Sequence, residues 1–159
     1  IQSADNRFST DVGWLKSKHS FNFGGHYSPH HNGHGLLLVN NDDLVAPATG
    51  FGMHGHRDME IITWELSGEL EHKDSEKNRG IIYPGLAQRM SAGRGIWHSE
   101  MNNSGNDDVH FVQMWVDIFS IIPRIGVFSW LNMSMPLRAS ISATSWGVLT
   151  IMAPSTSVF

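Results

Sequence analysis

Four side chains in this sequence could close on a single metal ion: His54 with His56, and His98 with Glu100. Each pair is spaced i, i+2, and in an extended chain residues two apart project from the same face. If segments 52–56 and 96–100 are strands facing one another inside a barrel, three imidazoles and one carboxylate converge on a point. That donor set is borderline in softness. It suits Fe(II), Mn(II), Ni(II), Cu(II) or Zn(II), and serves Ca²⁺ or Mg²⁺ poorly because those ions take oxygen shells. A six-coordinate ion would keep two positions for water, dioxygen or a substrate. An isolated His-x-His is more often surface or core furniture than a ligand pair; the second pair, in another strand-like segment, makes this one a candidate site. Glu60 has the same parity as His56 and is an alternative carboxylate that strand spacing leaves open.

The segments around these residues read as strands. From Glu60 the pattern has period two, with Ile62, Trp64 and Leu66 on one face and Ile61, Thr63 and Glu65 on the other. Ser67-Gly68 permits a reversal, and Glu69 to His72 is expected to return as the partner strand. Gly80 to Tyr83, Ala87 to Ser91, Ile96 to Glu100 and Val109 to Val116 are further short strands, separated by Pro84-Gly85, Gly93-Arg94-Gly95 and the polar stretch Asn102 to Asp108. Leu36 to Val39 reads as a buried strand ended by a turn at Asn40-Asn41-Asp42-Asp43, and residues 1–35 read as irregular. No sustained 3.6-residue apolar period occurs in the middle of the chain. The expected class is all-β, a sandwich, jelly roll or small barrel.

Composition narrows the function classes. The 159 residues suffice for one self-supporting domain. A net charge of −4 gives no basic footprint for nucleic acid or an anionic membrane. With no cysteine, disulfides and thiolate metal sites are excluded, and the cytoplasm is the expected location. No apolar run reaches the roughly 20 residues of a membrane helix, and the first residues lack a basic-then-apolar signal pattern. The sequence opens on Ile1 rather than Met, as a processed, trimmed or incomplete product would. Ten histidines in a chain this short favour metal or proton chemistry.

These residues also carry a family resemblance. The stretch Gly52-Met53-His54-Gly55-His56-Arg57-Asp58-Met59-Glu60 with Gly68 resembles the first motif of the cupins and, more narrowly, of the pirin family. The likeness continues through Glu71-His72-Lys73-Asp74-Ser75, Pro84-Gly85, the run Gln88 to Ile96, His98-Ser99-Glu100 and His110 to Val116. Upstream it takes in Gly13-Trp14-Leu15, His19-Ser20-Phe21 and Val45-Ala46-Pro47. The resemblance implies a cupin-type β-barrel with His54, His56, His98 and Glu100 as metal ligands, favouring Glu100 over Glu60 and leaving Glu60 a core-facing acid. It implies Fe(II) foremost, with Mn, Ni, Cu or Zn as substitutes. It implies a quercetin 2,3-dioxygenase-type oxidoreductase that cleaves a planar flavonol with O₂, in which Glu100 is the catalytic base. The alternative it carries is a non-catalytic, metal-dependent regulatory protein with a protein partner or a homo-oligomeric contact.

Pirins carry two barrels in tandem, and here the pattern stops near Asp117. Residues 1–117 are expected to form the metal-bearing barrel. Residues 118–159, in which Arg124 and Arg138 are the only charged side chains, form an atypical tail covering or completing the barrel, as truncation or a shifted reading frame would produce. Strands are expected within it at Val127 to Leu131 and Gly147 to Met152. Elsewhere, His26, His30, His31 and His34 read as loop histidines, and His72 and His110 as hydrogen-bonded strand residues. Trp64, Trp97 and Trp115 read as core, with Trp97 pointing away from His98.

Overall fold

A computed structural model describes residues 3–117 and the backbone of 148–152. After a short 3₁₀ turn at Ala4–Asn6 come eleven strands: β1 (Phe8–Asp11), β2 (Leu15–His19), β3 (Leu37–Val45), β4 (Gly50–His56), β5 (Glu60–Ser67), β6 (Leu70–Asp74), β7 (Arg79–Ile82), β8 (Leu86–Ser91), β9 (Ile96–Asn102), β10 (Val109–Val116) and β11 (Val148–Met152). They form two antiparallel sheets, one of seven strands in the order β1-β2-β3-β10-β5-β8-β11 and one of four in the order β4-β9-β6-β7. This is the all-β barrel expected of a cupin. The strand expected at Gly147 to Met152 is β11, which pairs with β8; the one expected at Val127 to Leu131 lies outside the described residues. Among the described residues no helix is long and apolar enough to cross a membrane.

The sheets meet through two apolar clusters. Leu15, Val45, Leu86, Val109 and Phe111 of the larger sheet pack on Leu70 and Ile82 of the smaller. Ile61, Met90 and Ala92 pack on Ile96. Between these plugs the inner faces are polar, and that layer explains where the sequence pattern misleads. Residues 8–19 are not irregular but form the β1–β2 hairpin. The turn expected at Asn40–Asp43 is instead the middle of β3, with Asn41 and Asp43 buried between Val39 and Val45. Polar side chains on an inward face break the apolar alternation that marks a half-buried strand, so β3 looks like a turn. The reversal comes later, where Thr49 N–H and Oγ1 both donate to the Ala46 carbonyl.

Two further expectations change. After Gly68 the chain does not pair back on β5 but crosses to the smaller sheet, where β6 lies between β9 and β7. Gly68 sits at φ +90°, and a Cβ there would come within 3.0 Å of the Asp108 carbonyl oxygen and Val109 Cα, so this crossing requires glycine. Trp64 and Trp97 are not core: they are 39% and 58% exposed, on outer faces. Trp97 does point away from His98, as alternation requires, and its ring lies over Gly55.

Candidate metal centre

Three adjacent strands build the site. β4 and β9 do not face one another across the barrel; they are hydrogen-bonded neighbours with His54 opposite His98 and His56 opposite Ile96. β6 flanks β9 on its other side, with His72 opposite Glu100 and Asp74 opposite His98. Residues paired directly across antiparallel strands share a face, so three i, i+2 pairs stand side by side on the inner surface of the smaller sheet. A β-bulge between Phe51 and His54 adds one residue to β4, which lets odd-numbered Phe51 and even-numbered His54 both turn inward. Gly50 secures this approach, because a Cβ there would run into the Glu100 carbonyl oxygen and sit 2.7 Å from Met101 Cα.

One ligand atom each from His54, His56 and His98 lies within 4.8 Å of the others. Glu100 belongs to a second such trio, with His72 and again His98. Glu60 is in neither: its carboxylate accepts from Arg89 at 2.9 Å and Ser91 at 2.7 Å on the neighbouring strand. Arg57 pairs with Asp58 at the surface. His26 stacks on Phe8 and bonds Thr10, and among the described residues no loop histidine belongs to a trio that could hold a metal ion. His72 and His110 are hydrogen-bonded strand residues as expected, to Asp74 and Asp42.

The hydrogen bonds prepare the imidazoles for an ion. His54 Nδ1–H donates to the Gly52 carbonyl in the bulge at 2.7 Å, which leaves its Nε2 as the bare lone pair. His56 Nε2 and His98 Nε2 are buried with no hydrogen-bond partner. Each such orphan costs about 1–3 kcal/mol, and a coordinated cation relieves it. Burial, and then the neighbouring imidazoles, lower His56 to a pKa of about 4 and His98 to about 2, so both stay neutral and ligating near neutrality. Glu100 is raised to about 7 by burial, against the stabilising hydrogen bonds from Gln113 and Thr63. A bound cation would pull that carboxyl back towards its ionised form. The residues therefore fit a divalent transition ion.

Facing this wall is a cavity of about 130 Å³, lined by His54, His56 and Glu100 on one side and by Ser17, His19, Asn41 and Asp43 on the other. Leu15, Phe23, Phe51, Gln113 and Trp115 complete its lining; the Trp115 ring stands 4.8 Å from that of His56. Gln113 ties the layer together, donating to both Glu100 oxygens at 2.8 and 3.0 Å and accepting from Trp115 Nε1. The motif reading passes over Ser17, Asn41 and Asp43 and, though His19 and Gln113 fall within its matched stretches, gives those two no role. The signal for all of them was parity with the apolar Leu15, Val39 and Phe111 on the same strands.

Known proteins resemble this chain over the same region. The sequence pattern of the pirin family matches residues 2–116. A Mycobacterium tuberculosis protein named "Putative quercetin 2,3-dioxygenase" is 65% identical over 116 residues, 73% of this chain and 48% of that protein. Quercetin 2,3-dioxygenase of Escherichia coli is 43% identical over 116 residues, 73% and 50% of the two chains. The crystal structure of the bacterial pirin YhhW from Escherichia coli in complex with nickel(II) superposes with a TM-score of 0.71 at 42% identity, again over 73% of this chain and 50% of that one. The chain thus spans about half the length of the curated relatives it matches.

Proposed function

Because this chain belongs to the pirin family, we propose that it is a metal-dependent flavonol dioxygenase of the quercetin 2,3-dioxygenase type, acting with O₂ and holding Fe(II), or Ni(II) in its place, on His54, His56, His98 and Glu100. The observation that carries the reading is the pair of buried, unpartnered imidazole nitrogens on His56 and His98 at the edge of an aromatic-lined cavity. Two relatives named for quercetin cleavage and a nickel-bearing pirin support it.

When bound, the ion supplies Lewis acidity that makes a flavonol 3-hydroxyl easier to deprotonate. Glu100 accepts that proton as general base, with Gln113 releasing one of its two donated hydrogen bonds as the carboxyl becomes neutral. Phe23, Phe51 and Trp115 clamp the planar ring and exclude water. The deprotonated flavonol takes up O₂, its central ring opens to an ester and carbon monoxide leaves. At about 130 Å³ the cavity is smaller than the roughly 300 Å³ at the low end of sites for drug-sized ligands. The hydroxyl–carbonyl edge of the flavonol therefore enters first, and the remaining rings stay in the mouth.

That small volume also favours a second reading, a non-catalytic pirin whose loaded site regulates a protein partner. Residues 1–117 are the proposed metal-bearing barrel in either case. Elemental analysis of the wild type and of His98→Ala, followed by quercetin consumption measured without and then with air, tests both. One ion per chain, lost in the variant, together with O₂-dependent loss of quercetin is the expected result. An ion without turnover selects the regulatory reading, and no ion after reconstitution with Fe(II) or Ni(II) overturns both. Glu100→Gln is expected to lower turnover about 10²–10⁴-fold; full turnover would remove Glu100 as the base.

A further inference from the structure

His72 and Asp74 lie on the same inner face as the ligands but outside the set just proposed. Both are buried, and they stand directly opposite Glu100 and His98 on β9. Asp74 is locked by the turn that follows it: its Oδ1 accepts from the backbone N–H groups of Glu76 and Asn78, each at 2.9 Å, and its Oδ2 accepts from Asn78 Nδ2 at 2.9 Å. The same Oδ2 lies 3.5 Å from His72 Nε2. His72 Nδ1 in turn lies 3.5 Å from His98 Nδ1.

A chain of neutral imidazoles ending on a carboxylate has one consistent protonation pattern. A carboxylate only accepts, so His72 Nε2 carries the hydrogen and His72 Nδ1 offers a lone pair. His98 Nδ1 must then carry a hydrogen to donate, which leaves His98 Nε2 as a bare lone pair. That Nε2 is the atom buried without a partner. We propose that His72 and Asp74 are positioning residues that fix the tautomer and ring orientation of His98, so that its Nε2 is presented to an ion shared with His54 and His56. The inference rests on the metal-site reading above. It assigns a role to the Glu71-to-Ser75 motif that the ligand set does not use, and it makes His72 a support for His98 and not a ligand of a second cation.

The test uses the full chain with Ni(II) as probe. In the metal-free wild type, ¹⁵N-resolved NMR of the histidine rings is expected to find His98 protonated on Nδ1 and His72 on Nε2. His72→Phe keeps the bulk but removes the acceptor; it is expected to abolish the His98 preference and weaken Ni(II) binding about 10–100-fold, the usual effect of losing an outer-shell partner. His72→Gln restores an acceptor and is expected to recover most of that loss. His98 found protonated on Nε2 in the wild type would overturn the proposal, a result that needs no variant to fold. So would unchanged Ni(II) affinity in His72→Phe, weakened affinity with the His98 tautomer intact, or two Ni(II) ions per chain. Failure of the wild type to bind Ni(II) or Fe(II) would instead strike the metal-site reading, while the tautomers still decide the hydrogen-bond chain.

Discussion

The two walls of the cavity are both polar and both contain a buried histidine, yet they treat it in opposite ways. On the smaller sheet, His56 and His98 keep a buried nitrogen without a partner. On the larger sheet, both ring nitrogens of His19 are engaged: Nδ1 with Asn41 Oδ1 at 2.8 Å and Nε2 with Thr10 Oγ1 at 2.9 Å, while Ser17 donates to Asp43. A buried imidazole that is fully bonded holds the fold together. One that is left bare weakens the fold until something binds it. Burial and residue type are alike on the two walls, so satisfaction is what separates a ligand from a strut.

The largest expected effect comes from replacing the unsatisfied ring. His56→Leu should weaken Ni(II) binding by more than about 100-fold, beyond the range for an outer-shell residue, as read by calorimetric titration. The metal-free variant should unfold at a temperature no lower than the metal-free wild type, because a bare polar atom is exchanged for an apolar one. His19→Leu should do the reverse. It strands Asn41, while Thr10 keeps its bond to His26, and lowers stability by about 1–3 kcal/mol in urea unfolding, with Ni(II) affinity held within about twofold. If the two variants behave alike, the contrast between the walls fails.

Sequence patterns made the ligand wall legible and hid its opposite. His54, His56, His98 and Glu100 are visible because ligand-type residues recur two apart in segments whose turn-bounded pattern reads as extended. Strands β8 and β10 are readable because enough of their inward residues are apolar; β5 shows its alternation through Ile62, Trp64 and Leu66, which face outward while Ile61, Thr63 and Glu65 face in, and β9 shows it through the ligand pair itself. In β2 and β3 the inward positions are Ser17, His19, Asn41 and Asp43, and a pattern that equates polar with outward inverts them. Trp64 and Trp97 erred the other way, as large aromatics on outer faces. That β4 and β9 are neighbours within one sheet depends on pairing between segments far apart in the chain, which no local spacing encodes.

A smaller effect concerns Glu65, the buried acid of β5 whose two oxygens have no partner. Burial, and then the charge of Glu100, raise it to about 8. Its protonated form is favoured in the folded state, so its contribution is complete below the unfolded value near 4.5 and is lost as pH rises through 8. Asp43 and Glu100, each raised to about 7 by burial, act in the same direction. His56 and His98 are lowered and oppose them only below the ordinary imidazole value of 6.5. The metal-free chain should therefore lose stability between about pH 6.5 and 8, at up to about 1.4 kcal/mol per pH unit for each proton displaced. Glu65→Gln should flatten the upper part of that decline in urea unfolding measured across the range; an unchanged slope would remove Glu65 from the account.

Among the described residues β4 is the outermost strand of its sheet, bonded only to β9. It brings two of the three imidazoles, and β9 brings the third. An edge strand is the part of a sheet that detaches most readily, since one side of its backbone has nothing to let go of. An ion bridging His54, His56 and His98 would act as a clasp on that seam, fastening the margin to the middle. Amide hydrogens of Gly50–His56 would then exchange with solvent far more slowly once the clasp is shut, while those of β10, held between two neighbours, would keep the pace they already had.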